Sequence, residues 1–353
     1  MTDTIPPLLQ VRHLSVDFLN PDGSAAHALE DVSFDVNPGQ TLGLVGESGC
    51  GKTTTLMAIM RLLPASGRIT AGQVVFDGSD LLALNEPQMR RFRWKEMAIV
   101  FQGAMNALNP VMKISNQIRE PILLHNLMDY QAASHRVCDL LELVGIPKTR
   151  SEQYPHQYSG GMRQRAMIAM ALACSPRLLF ADEPTTALDV MIQAQVLELL
   201  KDIQQELGLA IVLVTHDLGV VAEVCDSVVV MYAGKVAEYG SSDQVYNNPQ
   251  HPYTQRLLEA FPDLNRPEGS LASIPGAPPR LTELPPGCRF EPRCHVRMDH
   301  CRLAAPGLVD VTGSDGRSSF DAYEPPKSSR VHEPTWRHLA ACYLCQGPEV
   351  QYR

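Results

Sequence analysis

A glycine-rich stretch near residue 50 carries the strongest chemical signal in the sequence. It consists of Gly46, Glu47, Ser48, Gly49, Cys50, Gly51, Lys52 and Thr53, with Thr54 directly after it. The stretch fits the phosphate-loop pattern G-x-x-x-x-G-K-[ST], with an apolar run of strand type before it and a run of helix type after it. Backbone N–H groups in such a turn bind phosphate oxygens, and the helix N-terminus adds partial positive charge. We therefore predict that Lys52 contacts the β- and γ-phosphates of a nucleotide and that the Thr53 hydroxyl binds Mg²⁺.

Two further apolar runs end in side chains that suit hydrolysis. The run 178–181 is followed by Asp182 and Glu183, and the run 211–215 is followed by His216. Carboxylates at the C-terminal end of a buried strand lie where parallel sheets bind their ligands. We predict that Asp182 binds Mg²⁺, that Glu183 activates the attacking water as general base, and that His216 contacts the γ-phosphate. Lys52, Glu183 and His216 are thus the predicted catalytic residues for phosphoryl transfer to water.

A Ser-Gly-Gly sequence opens another run of helix type. It comprises Ser159, Gly160 and Gly161, with Tyr158 before it and Met162 after it. Such a helix N-terminus binds anions. Together with the phosphate loop and the Asp-Glu strand, it resembles the ATP-binding-cassette family, whose signature reads Leu-Ser-Gly-Gly-Gln. Tyr and Met at the first and last positions are a variation common in the peptide-importer branch of that family.

The resemblance implies a head-to-tail dimer that holds two ATP molecules between phosphate loops and signatures. The residues that would contact the ATP of the opposite subunit are Ser159, Gly160, Gly161, Met162 and Asp189. Within one subunit, the resemblance implies that Gln102 contacts Mg²⁺ and that Phe18 stacks on the adenine of ATP. A lone aromatic residue at position 18 is equally compatible with core packing.

Two segments are similar to importers of dipeptides and oligopeptides. One is 101–110, which includes Gln102, and the other is the sequence His-Pro-Tyr-Thr at 251–254. Gly103 and Ala104 depart from the Asp-Pro that this branch usually has. The resemblance implies an ATPase subunit that drives peptide uptake, with two membrane permeases, an identical or paralogous second ATPase and an extracytoplasmic solute-binding protein. It places the chain at the cytoplasmic face of the membrane as a peripheral subunit.

Two alternative functions remain open. One is import of nickel or another solute by the same branch, and the other is a soluble cassette ATPase in nucleic-acid transactions. The net charge of −9 argues against a nucleic-acid partner, which requires a basic face.

Length and composition predict the organisation of the chain. With 353 residues and 44% apolar residues, we expect about two domains. Residues 1–261 are predicted to form an α/β ATP-binding domain, with a parallel phosphate-loop sheet, an antiparallel β layer and a helical subdomain at about 115–175. No N-terminal signal peptide and no apolar run of roughly 18 residues is visible, so we expect a cytosolic chain. Residues 262–353 are rich in Pro and Gly and are predicted to form an irregular C-terminal domain.

Five cysteines follow residue 287, namely Cys288, Cys294, Cys301, Cys342 and Cys345. Clustered cysteines in a cytosolic chain favour a metal over disulfides. The spacing is wider than in most zinc sites and suits an iron–sulfur cluster better. Some members of the peptide-importer branch carry a [4Fe–4S] cluster here, which implies Cys288, Cys294, Cys301 and Cys342 as ligands. Zinc, unligated thiols, and Cys345 in place of Cys342 are the alternatives.

Cys50 lies inside the phosphate loop, where this branch usually has Ser. It is either a small residue tolerated by a loop that uses backbone amides, or a redox-sensitive thiol. The second hypothesis requires that the nearby N–H groups and Lys52 lower the pKa of the thiol.

Overall fold

A computed structural model describes residues 6–103, 107–186, 188–260, 274–312 and 337–346. The strands are β1 (Leu9–Leu19), β2 (Ala25–Val36), β3 (Thr41–Val45), β4 (Gly67–Phe76), β5 (Ser79–Asp80), β6 (Met97–Val100), β7 (Leu178–Asp182), β8 (Ala210–Thr215), β9 (Ser227–Tyr232), β10 (Lys235–Ser241), β11 (Val309–Asp310) and β12 (Leu339–Ala340). The helices are α1 (Lys52–Ile59), α2 (Glu86–Phe92), α3 (Ile114–Leu124), α4 (Tyr130–Leu143), α5 (Gly160–Ala171), α6 (Val190–Leu207), α7 (Leu218–Val224), α8 (Ser242–Asn247) and α9 (Pro252–Glu259). No helix in these described ranges is long and apolar enough to cross a membrane.

The residue contacts divide the chain into two compact units. The first unit comprises Met1–Leu8, Val36–Thr41 and Ser79–Val214. It contains a parallel arrangement in which β7 pairs with β6 on one side and with β8 on the other. Every residue of β7 and β8 is buried, which explains why both read as continuous apolar runs in the sequence. Parallel pairing brings the carboxyl ends of these strands to one edge of the sheet.

Three helices of the first unit, α3, α4 and α5, lie in the range of about 115–175, and we call them the helical part; a separate subdomain there stays a prediction. Helix α4 begins at Tyr130 because the side chain of Asp129 accepts a hydrogen bond from the backbone N–H of Ala132. Helix α5 begins directly after Ser159. The signature sequence therefore occupies a helix N-terminus, as predicted.

The second unit comprises Leu9–Asp35, Leu42–Gly78 and Thr215–Arg353. The predicted antiparallel layer is present, with β1 between β2 and β4. Strand β3, which leads into the phosphate loop, runs parallel to β9. Strands β9 and β10 form the predicted antiparallel hairpin, with an irregularity between Val236 and Glu238.

The described residues after 260 contain only short elements. Strand β12 pairs with β10 and with β11, and the rest is made of turns and single-turn 3₁₀ helices. Their packing centres on an aromatic cluster of Tyr232, Tyr253 and Phe290, whose ring centroids lie 4.7 to 5.4 Å apart. These residues belong to the same unit as β9 and β10, so a separate domain 262–353 stays a prediction, as does the boundary at 261.

Candidate functional site

The phosphate loop connects β3 to α1 in a conformation that requires glycine. Gly46 has φ +147°, and a Cβ atom there would lie 2.2 Å from the carbonyl oxygen of Met231. The Nζ of Lys52 donates to the carbonyl oxygens of Gly46 at 2.7 Å and Glu47 at 3.1 Å, which folds the lysine against the loop. Ser48, Gly49 and Thr53 are exposed, Thr54 is half-buried, and Gly51 and Lys52 are buried. Ser48, Gly49 and Thr53 of the loop are therefore accessible to a ligand, while Gly51 and Lys52 are held in the protein interior.

The backbone N–H and the carboxylate of Glu47 both form hydrogen bonds with residues far along the chain. Its backbone N–H donates to the hydroxyl of Tyr253 at 3.0 Å. Its carboxylate accepts two hydrogen bonds from the guanidinium of Arg293, at 2.6 and 2.9 Å. The sequence indicated Glu47 only as a member of the loop. Arg293 was missed, because nothing in a local pattern connects residues 246 positions apart.

Cys50 is buried at the base of the loop, with 3% of its surface exposed. Burial raises the pKa of the Cys50 thiol, and the opposing effect of the Lys52 charge is smaller. This finding contradicts the redox-sensitive hypothesis, which counted the N–H donors and Lys52 but not the loss of solvent. It supports the hypothesis of a tolerated small residue.

Phe18 lies at the end of β1, half-buried and opposite Gly67 of β4. A Cβ atom at Gly67 would lie 2.9 Å from its ring, so the ring fills the space that the glycine leaves. This contact accounts for one side of the ring, and stacking on adenine stays a prediction. His216, also in the second unit, is exposed directly after β8, and the next residue, Asp217, caps α7.

In the first unit, the end of β7 presents the two predicted carboxylates. Asp182 is 2% exposed. Glu183 follows with φ +44°, a conformation that is strained for a residue other than glycine. One oxygen of its carboxylate accepts hydrogen bonds from the Nε2 of Gln102 at 2.8 Å and from the hydroxyl of Thr186 at 2.9 Å. The structure thus brings two of the predicted site residues, Gln102 and Glu183, into contact and adds Thr186, which the sequence did not indicate as a site residue.

The signature helix α5 and helix α6 have adjacent N-termini. The Oγ of Ser159 accepts from the backbone N–H of Met162 at 3.3 Å, and Asp189 caps α6 by accepting from Ile192 at 3.0 Å. A Cβ atom on Gly161 would lie 2.8 Å from the side chain of Ile192, so the two helices meet at a glycine. The binding of a second subunit's ATP by these residues stays a prediction.

Four of the five C-terminal cysteines, Cys288, Cys294, Cys301 and Cys342, line one small apolar cavity. Burial raises the pKa of both Cys288 and Cys294 to about 11. Across the described residues, no three Cys, His, Asp or Glu side chains are grouped closely enough to hold a single metal ion. The four thiols share one cavity, and the binding of a metal or cluster by them stays a prediction.

Cys345 does not line this cavity. Its thiol points to the carbonyl oxygen of Gln250 at 3.7 Å. It also forms a hydrogen bond with Cys342, which raises the pKa of Cys342 and lowers that of Cys345. This placement favours Cys342 over Cys345 as the fourth cavity thiol.

A buried carboxylate organises the segment around the His-Pro-Tyr-Thr sequence. Glu238 of β10 is fully buried and accepts from the backbone N–H groups of Gln250 and His251, at 2.8 and 2.9 Å. The Nε2 of His338 lies 2.7 Å from the same carboxylate. Burial lowers the pKa of His251 to about 4, so the ring is neutral and its Nδ1 accepts from the backbone N–H of Tyr253. No sequence pattern predicted that Glu238, His251 and His338 lie together.

Comparison with known proteins identifies both parts of the chain. Residues 29–186 match the family described as ABC transporter. Residues 237–301 match the family described as oligopeptide/dipeptide transporter, C-terminal region.

Several curated proteins are similar over most of their length. The oligopeptide transport ATP-binding protein OppD of Haemophilus influenzae is 48% identical over 300 residues, which cover 84% of this chain and 92% of that protein. The dipeptide transport ATP-binding protein DppD of Bacillus subtilis is 49% identical over 303 residues, which cover 85% of this chain and 90% of that protein. Among solved structures, a dimeric ATP-binding cassette in a post-hydrolysis state with ADP and Pi is similar, with a TM-score of 0.60 and 26% identity. The similarity covers 66% of this chain and 98% of that structure.

Proposed function

The chain belongs to the ABC-transporter family of ATP-binding proteins, and from this premise we propose that it hydrolyses ATP to drive the import of oligopeptides or dipeptides. The similarity to OppD and DppD carries this function, because it extends through the cassette into the oligopeptide/dipeptide transporter region. ATP is the substrate and Mg²⁺ the expected cofactor.

The residues of the first and second units have separate roles in this proposal. The loop amides and Lys52 bind the phosphates of ATP, and Phe18 contacts its adenine. Thr53, Gln102 and Asp182 bind Mg²⁺; when bound, this ion neutralises charge on the β- and γ-phosphates. These oxygen donors suit a hard cation such as Mg²⁺.

Glu183 acts as the general base that takes the proton of the attacking water. The hydrogen bonds from Gln102 and Thr186 occupy one oxygen of its carboxylate. They fix the orientation of the group that accepts the proton. His216, exposed at the end of β8, contacts the γ-phosphate.

The assembly in this proposal follows the family. Ser159, Gly160, Gly161, Met162 and Asp189 contact the ATP of a second ATPase subunit, identical or paralogous. Two membrane permeases and an extracytoplasmic solute-binding protein complete the importer, and the chain lies at the cytoplasmic face of the membrane. The apolar side chains of Leu124 and Tyr130 are exposed on the helical part, and that of Val111 is exposed in the turn before it, which supports docking on a permease.

We further propose that Cys288, Cys294, Cys301 and Cys342 bind a [4Fe–4S] cluster, which would cross-link a segment that has little secondary structure. Their shared cavity supports this assignment. Protein purified without oxygen is then expected to be brown, to absorb at about 400 nm and to contain iron. Cys294→Ser should lose the colour and Cys345→Ser should keep it. Stoichiometric zinc without visible absorption would contradict the cluster.

Import of nickel or another solute, and a soluble role with nucleic acids, are the competing functions. Co-purification from detergent-solubilised membranes separates an importer from a soluble factor. We expect the chain to elute with two permeases, and addition of peptide-loaded binding protein to raise its ATP hydrolysis. Elution without permeases would contradict an importer, and stimulation by a nickel-loaded protein alone would contradict peptide import.

A further inference from the structure

We infer that Arg293 and Tyr253 are positioning residues for ATP binding, which act through Glu47 of the phosphate loop. Arg293 neutralises the Glu47 carboxylate, and Tyr253 fixes the Glu47 backbone. The inference rests on the proposed binding of phosphates by the loop at 46–54, and it assigns to the C-terminal segment a role in nucleotide affinity.

The loop carries a negative charge where it would bind a polyanion. Glu47 follows the first glycine of the loop, and its side chain is 25% exposed. Like charges repel more strongly where solvent is partly excluded. The fork of Arg293 pairs with both carboxylate oxygens, which is the strongest geometry for a charge-assisted hydrogen bond. Without this partner, the Glu47 charge would oppose the phosphates of ATP.

Arg293 is held in place by groups other than Glu47. Its side chain is 5% exposed, and its Nε donates to the carbonyl oxygen of Pro275 at 2.9 Å. Its Nη1 lies 3.3 Å from the hydroxyl of Tyr232, and the guanidinium stands 5.8 Å from the centre of that ring. The C-terminal segment and the aromatic cluster therefore hold the guanidinium of Arg293 in a fixed position beside the loop.

Tyr253 fixes the backbone of the same residue. Its ring is completely buried against Tyr232 and Phe290. Burial raises the pKa of its hydroxyl, so the group stays neutral and accepts the Glu47 N–H at 3.0 Å. This hydrogen bond orients the backbone peptide group of Glu47 at the start of the loop.

The hydrogen bonds of Arg293 and Tyr253 go to Glu47 of the loop, which binds the nucleotide in the proposed function. The loss of these bonds should therefore raise KM and the Kd for nucleotide, while kcat, which depends on proton transfer, changes little. For Arg293→Gln, we expect the Kd for a non-hydrolysable ATP analogue with Mg²⁺ to rise about tenfold, because the unpaired Glu47 charge then opposes the phosphates. In Arg293→Gln/Glu47→Gln, removal of the opposing charge should restore the Kd to within about threefold of wild type. Tyr253→Phe keeps the buried ring and should raise the Kd about threefold.

Arg289→Gln is the matched structural control. Arg289 is equally buried in the same segment, but its guanidinium bonds to Glu30 and to the carbonyl of Ala233 rather than to Glu47. Its loss should lower Tm with little change in Kd. The inference is overturned if Arg293→Gln binds the analogue like wild type, if Glu47→Gln fails to restore binding, or if Arg289→Gln raises the Kd equally. Lys52→Ala distinguishes a failure of this inference from a failure of the proposed function. Unchanged nucleotide binding in that variant would contradict the assignment of residues 46–54 as a phosphate-binding loop.

Discussion

Glu183 combines a strained backbone with a carboxylate that is hydrogen-bonded on one oxygen. Glu183→Gln should lower the rate of ATP hydrolysis by about 10²–10⁴, because the general base is lost. Binding of ATP should persist, since the phosphate loop is unchanged. Steady-state hydrolysis and nucleotide retention after gel filtration measure the two effects.

Glu206→Gln is the control for this prediction, because Glu206 is an exposed carboxylate on α6. It should leave both quantities at the wild-type value. Hydrolysis by Glu183→Gln at a near wild-type rate would remove Glu183 from the role of base.

The Cys50 thiol should react slowly with alkylating reagents even without ATP. The thiolate is the reactive form, and burial both raises the pKa of Cys50 and restricts access. Mass spectrometry after brief treatment of the native protein with iodoacetamide should find the half-buried Cys138 modified before Cys50. Faster labelling of Cys50, with protection by ATP, would restore the redox hypothesis.

At the scale of elements, the sequence predicted what depends on neighbouring residues. Strand β7 was visible as an apolar run, and helix α5 as the segment after Ser-Gly-Gly, because burial and capping are local patterns. The contacts of Glu47 and Glu238 were not visible, since their partners lie up to 246 residues away and packing alone brings them together. The redox-sensitive alternative for Cys50 fails for the same reason, because the burial that raises the pKa of its thiol is a property of the fold.

The contact of helices α5 and α6 makes Gly161 sensitive to a single added methyl group. Alanine at this position would press on Ile192, whose β-branched side chain has little freedom to move. Gly161→Ala should destabilise the protein by about 1–3 kcal/mol, a typical cost of overpacking. Thermal unfolding measures the difference.

Gly160→Ala is the matched control, because its Cβ would lie 3.7 Å from Leu188, an ordinary contact. It should be neutral or slightly stabilising, since alanine favours the helix. Equal loss of Tm in the two variants would contradict the packing of Gly161 on α6.

His251 at the start of α9 should make stability depend on pH. Its pKa is about 4 in the folded protein, against an ordinary value of 6.5, so the unfolded chain binds the proton more readily. This contribution is complete above pH 6.5 and is lost as the pH falls toward 4, by about 3 kcal/mol.

Denaturant unfolding of wild type and His251→Asn at several pH values tests this effect. Asparagine retains an acceptor for the N-cap hydrogen bond but does not titrate. The difference in stability between the two proteins should shrink as the pH falls from 6.5 to 4. A difference that is constant with pH would show that His251 does not titrate as described.

At the scale of the whole molecule, the chain is similar to ATP-binding proteins of oligopeptide and dipeptide transport through both of its matched regions. The motifs in the first 240 residues predicted ATP hydrolysis, because each motif consists of particular residue types at a fixed spacing. Selectivity for the solute was not predictable from this chain, since permeases and the binding protein contact the solute in the proposed importer. The similarity to OppD and DppD supplies that part of the function.

Peptide uptake by a reconstituted importer tests the function most directly. The chain would be placed in lipid vesicles with its co-purifying permeases, with ATP on the side of the chain and peptide-loaded binding protein on the other. Uptake of labelled peptide should require ATP and should cease with Glu183→Gln, while Glu206→Gln supports it fully. ATP hydrolysis without peptide uptake, or uptake that persists with Glu183→Gln, would contradict ATP-driven peptide import by this chain.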